Sequence, residues 1–118
     1  MAHAMKISEA EFGEKVLANK GTVVVDFYAD WCAPCKLVAT ALEEFSGEYG
    51  DRLDVVKIDV EQADRIVGEY GVQTLPTLMF FRDGRPVHMV VGAQTKPALR
   101  AHIEKCLNGV AVRSGVAR

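Results

Sequence analysis

Apolar residues along the chain recur with two periods, and the switches between them mark out alternating helices and strands. Ser8-Glu9-Ala10-Glu11 forms a capping box, with Ile7 and Phe12 placed around it as a hydrophobic staple. Phe12, Val16 and Leu17 then supply an apolar face, which predicts a first helix up to about Asn19, ended by Gly21. Thr22 to Ala29 is apolar on both faces, the pattern of a strand at the centre of a helix-covered sheet. A second helix starts at the cysteines and carries Leu37, Val38, Ala41, Leu42 and Phe45 at helical spacing, fading near Gly47 or Gly50.

Leu53 to Val60 predicts the next buried strand, and Ala63 to Tyr70 a short helix with Ile66, Val67 and Tyr70 inward and Gly71 as its C-cap. Thr77 to Phe81 and Val87 to Val91 flank Asp83-Gly84, a two-residue signal for an antiparallel hairpin with a type I′ turn. Thr95 caps a last helix with Leu99, Ile103, Cys106 and Leu107 on one face. Parallel crossovers followed by a hairpin give an α/β fold whose mixed sheet is covered on both faces. At 118 residues, 49% of them hydrophobic, the chain suits one domain, taken as residues 1–108, followed by an aperiodic tail at 109–118.

Charge and hydropathy narrow the partners. The net charge is -2 and no basic-aromatic stripe is present, so the electrostatic footprint of a nucleic-acid binder is missing. No apolar run approaches the roughly 18 residues of a membrane span. Met1 to Glu11 turns acidic early and lacks a signal-like apolar stretch, so the expected compartment is the cytoplasm.

The chemistry concentrates in Trp31-Cys32-Ala33-Pro34-Cys35-Lys36, directly after the first strand. Two cysteines one helical turn apart are within bridging distance, and unpaired N–H groups at a helix start stabilise a thiolate. Cys32 is therefore expected to be the exposed nucleophile and Cys35 the shielded resolving thiol. Pro34 fits the first turn, where its missing N–H costs nothing. In a reducing compartment such a pair points to redox or metal work rather than to a structural framework. A zinc alternative would join Cys32 and Cys35 to His102 and Cys106, although Pro34 and the lack of a second CxxC disfavour it. Asp26 interrupts an apolar strand, where burial should raise its pKa. Cys106 falls on an apolar stripe and is expected to be buried and inert, and His3, His88 and His102 to be surface residues.

Taken together, Asp26 ahead of the CxxC, Lys57 in the neighbouring strand, Thr74-Leu75-Pro76-Thr77 before the hairpin and Val91-Gly92-Ala93 after it make residues 7–108 resemble the thioredoxin family. The resemblance implies a five-stranded sheet, three parallel strands plus the C-terminal hairpin, flanked by four helices. It implies a cis bond at Leu75-Pro76 beside the dithiol, and a thiolate of lowered pKa at Cys32. The implied activity is protein-disulfide reduction, with Asp26 relaying a proton to or from Cys35 and Lys57 modulating it. Substrate would dock on Trp31, Ala33, Pro34, Leu75, Pro76, Val91, Gly92 and Ala93. The resemblance implies no bound cofactor and no metal: the redox group is the Cys32–Cys35 pair, and NADPH acts only indirectly, through thioredoxin reductase. Disulfide-containing proteins are the implied substrates, and the chain is expected to be a monomer. A binding or holdase module built on the same apolar rim is the alternative. Three features depart from the commonest family pattern: Ala33 in place of glycine, Tyr28 in place of tryptophan, and a longer tail.

Overall fold

The computed structural model describes residues 4–109. Its five strands are β1 (Met5–Lys6), β2 (Thr22–Tyr28), β3 (Asp54–Asp59), β4 (Thr77–Arg82) and β5 (Arg85–Val91), and its α-helices are α1 (Ala33–Tyr49), α2 (Asp64–Tyr70) and α3 (Lys96–Asn108). The sheet order is β1-β3-β2-β4-β5. β1, β3 and β2 are parallel, while β4 runs antiparallel to β2 and to β5, as the mixed sheet requires.

Two cores follow from strand alternation, because successive side chains point to opposite faces of the sheet. Val24, Val55, Leu78, Phe80 and Val90 pack with Leu42 and Phe45 of α1 and Leu99 and Ile103 of α3. Val23, Val25, Phe27, Val56, Ile58 and Phe81 pack with Phe12 and Val16 of the N-terminal segment and Ile66 of α2. Since Val24 faces α1, so do Asp26 and Tyr28; since Val55 does, so does Lys57. This parity is what aims two charged side chains at the helix that carries the cysteines.

The N-terminal segment departs from the helix its capping box predicts. Ser8 Oγ does accept the Glu11 N–H, at 3.3 Å, and Glu11 Oε1 the Ser8 N–H, at 2.8 Å. Beyond the box, however, a 3₁₀ turn at Glu9–Glu11 passes into a π-helical turn at Gly13–Leu17. Gly13 weakens α-helical winding, and the irregular turns leave Phe12 and Val16 both buried while Leu17 is exposed. β1 was not signalled by any hydrophobic pattern, as both of its residues are exposed.

The other boundaries lie within a few residues of expectation. Gly47 is inside α1, which ends instead at Gly50 with φ 55°; Gly71 caps α2 at φ 70°. Asp83 and Gly84, at φ 53° and 80°, make the type I′ turn. A bulge between Phe80 and Phe81 shifts the β4–β5 register. His88 and His102 depart from the expected plain surface role. Each is half-buried, and His88 Nε2 lies 2.9 Å from His102 Nδ1, joining β5 to α3. His3 and residues 110–118 of the tail lie outside the described residues.

Candidate active site

Cys32 is the N-cap of α1, in extended conformation at φ -93° and ψ 105°, with Ala33 and Pro34 as the first helical residues. Its Sγ accepts the Cys35 N–H at 3.3 Å, so the sulfur occupies the place a serine or aspartate oxygen fills at ordinary helix starts. Cys32 and Cys35 form a disulfide, with their Cα atoms 5.3 Å apart, inside the range such bridges require. In this oxidised form Cys32 is only 5% exposed and Cys35 2%. The expectation of an exposed Cys32 is therefore corrected: with the bridge closed, both sulfurs are covered by Ala29, Tyr28, Val60 and Leu75.

The loop opposite is fixed by its backbone. The Leu75-Pro76 bond is cis, and the Gly92 N–H donates to the Pro76 carbonyl at 2.8 Å. That bond ties the Val91-Gly92-Ala93 segment to the proline loop. Pro76 is buried and Leu75 half-buried, whereas Ala33, Pro34, Val91 and Ala93 are exposed and Gly92 is half-buried. Trp31 is 68% exposed, and its indole N–H donates to Glu61 Oε2 at 2.6 Å. Glu61 had no signal in the sequence: it follows β3 in a short turn, and only the tertiary fold sets it beside Trp31.

On the sheet face that packs against α1, Asp26 is 1% exposed. Its Oδ1 has no hydrogen-bond partner among the described residues. Burial pushes its pKa from 3.8 up to about 7, partly offset by the positive charge of Lys57. Lys57 is the register partner of Asp26 across the β2–β3 pair, and its Nζ lies 5.8 Å from the centre of the Tyr28 ring. A recess of about 170 Å³ is lined by Tyr28, Cys35, Ala39 and Lys57, among others.

Cys106 is fully buried in the core between α1 and α3, with Leu99 and Ile103, and burial raises its thiol pKa to about 12. The zinc alternative is thereby corrected. Cys106 packs with α1 and α3 side chains and not with the dithiol, and among the described residues no three His, Cys, Asp or Glu side chains gather as a metal set.

Comparison with known proteins agrees with this geometry. The thioredoxin family model matches residues 3–105. Thioredoxin of Synechocystis sp. is 40% identical over 107 residues, covering 91% of this chain and all of that protein. Thioredoxin 1 of Synechococcus elongatus is 38% identical over the same length and coverage, and thioredoxin of Staphylococcus epidermidis 40% over 103 residues, or 87% of this chain and 97% of the other. A bridging Cys-Ala-Pro-Cys at the start of α1, a cis-proline loop packed beside it and these matches over nearly the whole chain lead to one conclusion: the protein belongs to the thioredoxin family and is a protein-disulfide oxidoreductase whose redox group is its own Cys32–Cys35 pair.

Proposed function

We propose that the chain works as a general disulfide reductase in which Cys32 attacks and Cys35 resolves. The observation that carries this reading is the position of Cys32 Sγ as the cap of α1, accepting the Cys35 N–H. Reduction by two electrons opens the bridge to two thiols. The helix-start N–H groups then favour the Cys32 thiolate, since the N-terminal end of a helix carries partial positive charge. The thiolate attacks one sulfur of a substrate disulfide; a Cys32–substrate bond forms, and the other substrate sulfur leaves as a thiolate that takes up a proton. Cys35 loses its proton and attacks Cys32 Sγ, which expels the second substrate sulfur and restores the Cys32–Cys35 bridge.

Asp26 serves that second step as the proton acceptor for Cys35. A carboxyl with pKa about 7 is half-ionised at neutral pH, the condition for taking up and returning a proton. The recess reaches Cys35 and Lys57, the register partner of Asp26, so water entering there can stand beside the thiol. Lys57 holds the carboxyl from rising further. Trp31, Ala33, Pro34, Leu75, Pro76, Val91, Gly92 and Ala93 form the rim on which an extended substrate segment lies, with backbone groups available for strand-like hydrogen bonds.

Recycling by thioredoxin reductase, with NADPH as the distant electron source, completes the cycle. A monomer acting in the cytoplasm, with one domain over residues 1–108 and a tail at 109–118, fits the reading. Among the described residues no helix is long and apolar enough to cross a membrane. Insulin reduction with dithiothreitol as electron source tests the roles. Cys32→Ser should abolish turnover, and Cys35→Ser should accumulate a covalent mixed disulfide. A Cys32→Ser variant as active as the parent would overturn the mechanism.

A further inference from the structure

Three strands bring two lysines, an aspartate and a tyrosine together on the α1 face of the sheet. Asp26 and Tyr28 are alternate residues of β2 and project to that face. Lys57 of β3 is the register partner of Asp26, and Lys6 of β1 is the register partner of Lys57. Neighbouring strands lie about 4.8 Å apart, which puts the Asp26 carboxyl within reach of the Lys57 side chain. Yet among the described residues no ion pair joins the two, and Asp26 Oδ1 has no hydrogen-bond partner. The Lys57 ammonium instead lies 5.8 Å from the centre of the Tyr28 ring, within the range at which a ring face attracts a cation. Tyr28 is itself held in place, because it packs against Ala29 and the Cys32–Cys35 bridge. Burial raises the pKa of its hydroxyl; the charge of Lys6 opposes that rise, and Asp59 and Asp30 add to it. On its other side Asp26 meets Leu78 of β4, an apolar partner, and from α1 Cys35 and Lys36 line the same recess as Lys57.

We propose that Tyr28 is a positioning residue for the exchange reaction: its ring draws the Lys57 ammonium away from Asp26, so that the carboxyl stays unpaired and free to take up the Cys35 proton. The proposal rests on the proton-acceptor role given to Asp26 above and names the group that keeps that role open. Solvation decides between the two partners of Lys57. To pair with Asp26, the ammonium would leave the recess for a site where the carboxyl is 1% exposed, a desolvation that can exceed the attraction of the pair. Over the ring, the half-buried lysine keeps the water of the recess and gains the π face. A direct ion pair would hold Asp26 ionised and draw its pKa back toward the ordinary carboxylate range, leaving a base too weak for a thiol proton. With the ammonium on Tyr28, burial remains the larger influence on the carboxyl and the lysine charge only offsets it in part.

The test is the titration of Asp26 in the oxidised protein, where the bridge takes both cysteines out of the titration, read from the carboxyl carbon shift in NMR. Tyr28→Phe keeps the ring face and should titrate with the parent. Tyr28→Leu loses it, and Asp26 should release its proton about tenfold more readily as Lys57 closes on the carboxyl. The same leucine placed beside Lys57→Met should leave the Asp26 titration where Lys57→Met alone puts it. An unchanged titration in Tyr28→Leu would overturn the proposal. So would an equal change without Lys57, because the ring would then only be keeping water from the carboxyl. The parent protein supplies a second measurement that needs no variant: the ring current of Tyr28 should move the Lys57 ε-methylene protons upfield, and an ordinary lysine shift would overturn the contact. Insulin reduction by Asp26→Asn tests the underlying role separately. A rate equal to the parent's would remove Asp26 as proton acceptor, whatever Tyr28 does to Lys57.

Discussion

Replacing Asp26 with alanine should stabilise the oxidised protein at alkaline pH and do little in acid. The carboxyl is buried in β2 with Oδ1 unpartnered, and its pKa lies at about 7 in the folded protein against 3.8 for the ordinary side chain. Between those values the folded state holds a proton that the unfolded chain has released. Raising the pH through this window therefore favours unfolding, and the cost of ionising the buried group is complete above pH 7. At 1.36 kcal/mol per pH unit it amounts to about 4 kcal/mol. Alanine removes the whole of it but also gives up the packing of the carboxyl, about 1 kcal/mol. The net gain should be about 3 kcal/mol at pH 8.5, turning into a loss of about 1 kcal/mol at pH 3.5, where the folded carboxyl and most of the unfolded one are protonated. Urea denaturation without reductant, followed by far-UV circular dichroism, measures it. With a slope of about 1.5 kcal/mol/M, the midpoint should rise by about 2 M at pH 8.5. A difference between parent and variant that stays constant across this range would refute the reasoning, because only titration of Asp26 makes it depend on pH.

Lys57→Met should move the Asp26 titration upward from about 7, since the lysine charge is what opposes burial there; the carboxyl carbon shift in NMR reads this directly, and a downward move would contradict it. Gly84→Ala should destabilise the fold by about 2 kcal/mol or more in chemical denaturation. Gly84 sits at φ +80° and an added Cβ would come within 2.2 Å of the Leu17 carbonyl oxygen, a backbone atom with no rotamer to escape into. Cys106 should resist iodoacetamide at pH 8 in the native protein and react on unfolding, because burial raises its pKa to about 12; mass spectrometry after alkylation shows which.

The sequence alone carried what is local. The Cys-Ala-Pro-Cys spacing, the helix it opens, the Asp83-Gly84 turn and the caps at Ser8, Gly71 and Thr95 are written in neighbouring residues, whose φ preferences and hydrogen-bonding atoms act within a turn or two. The near-continuous apolar run also marked β2 as buried on both sides and Asp26 as a misfit in it. β1 was silent because two exposed residues become a strand only when the edge of β3 is there to pair with them. The N-terminal helix was misread as regular because its winding yields to the burial of Phe12 and Val16, a demand made by the sheet and α2 rather than by the segment itself.

Burial and partnership were decided only by the tertiary structure. It placed Asp26 and Lys57 on the α1 face of adjacent strands, brought Glu61 to the indole of Trp31 and His88 to His102, covered both sulfurs in the oxidised form, and separated Cys106 from the dithiol. A pKa near 7 for one carboxylate and near 12 for one thiol comes from surroundings assembled out of distant segments. Those energies depend on which atoms exclude water and which charges lie opposite, and such neighbours are fixed by the packing of whole elements, which local sequence does not encode.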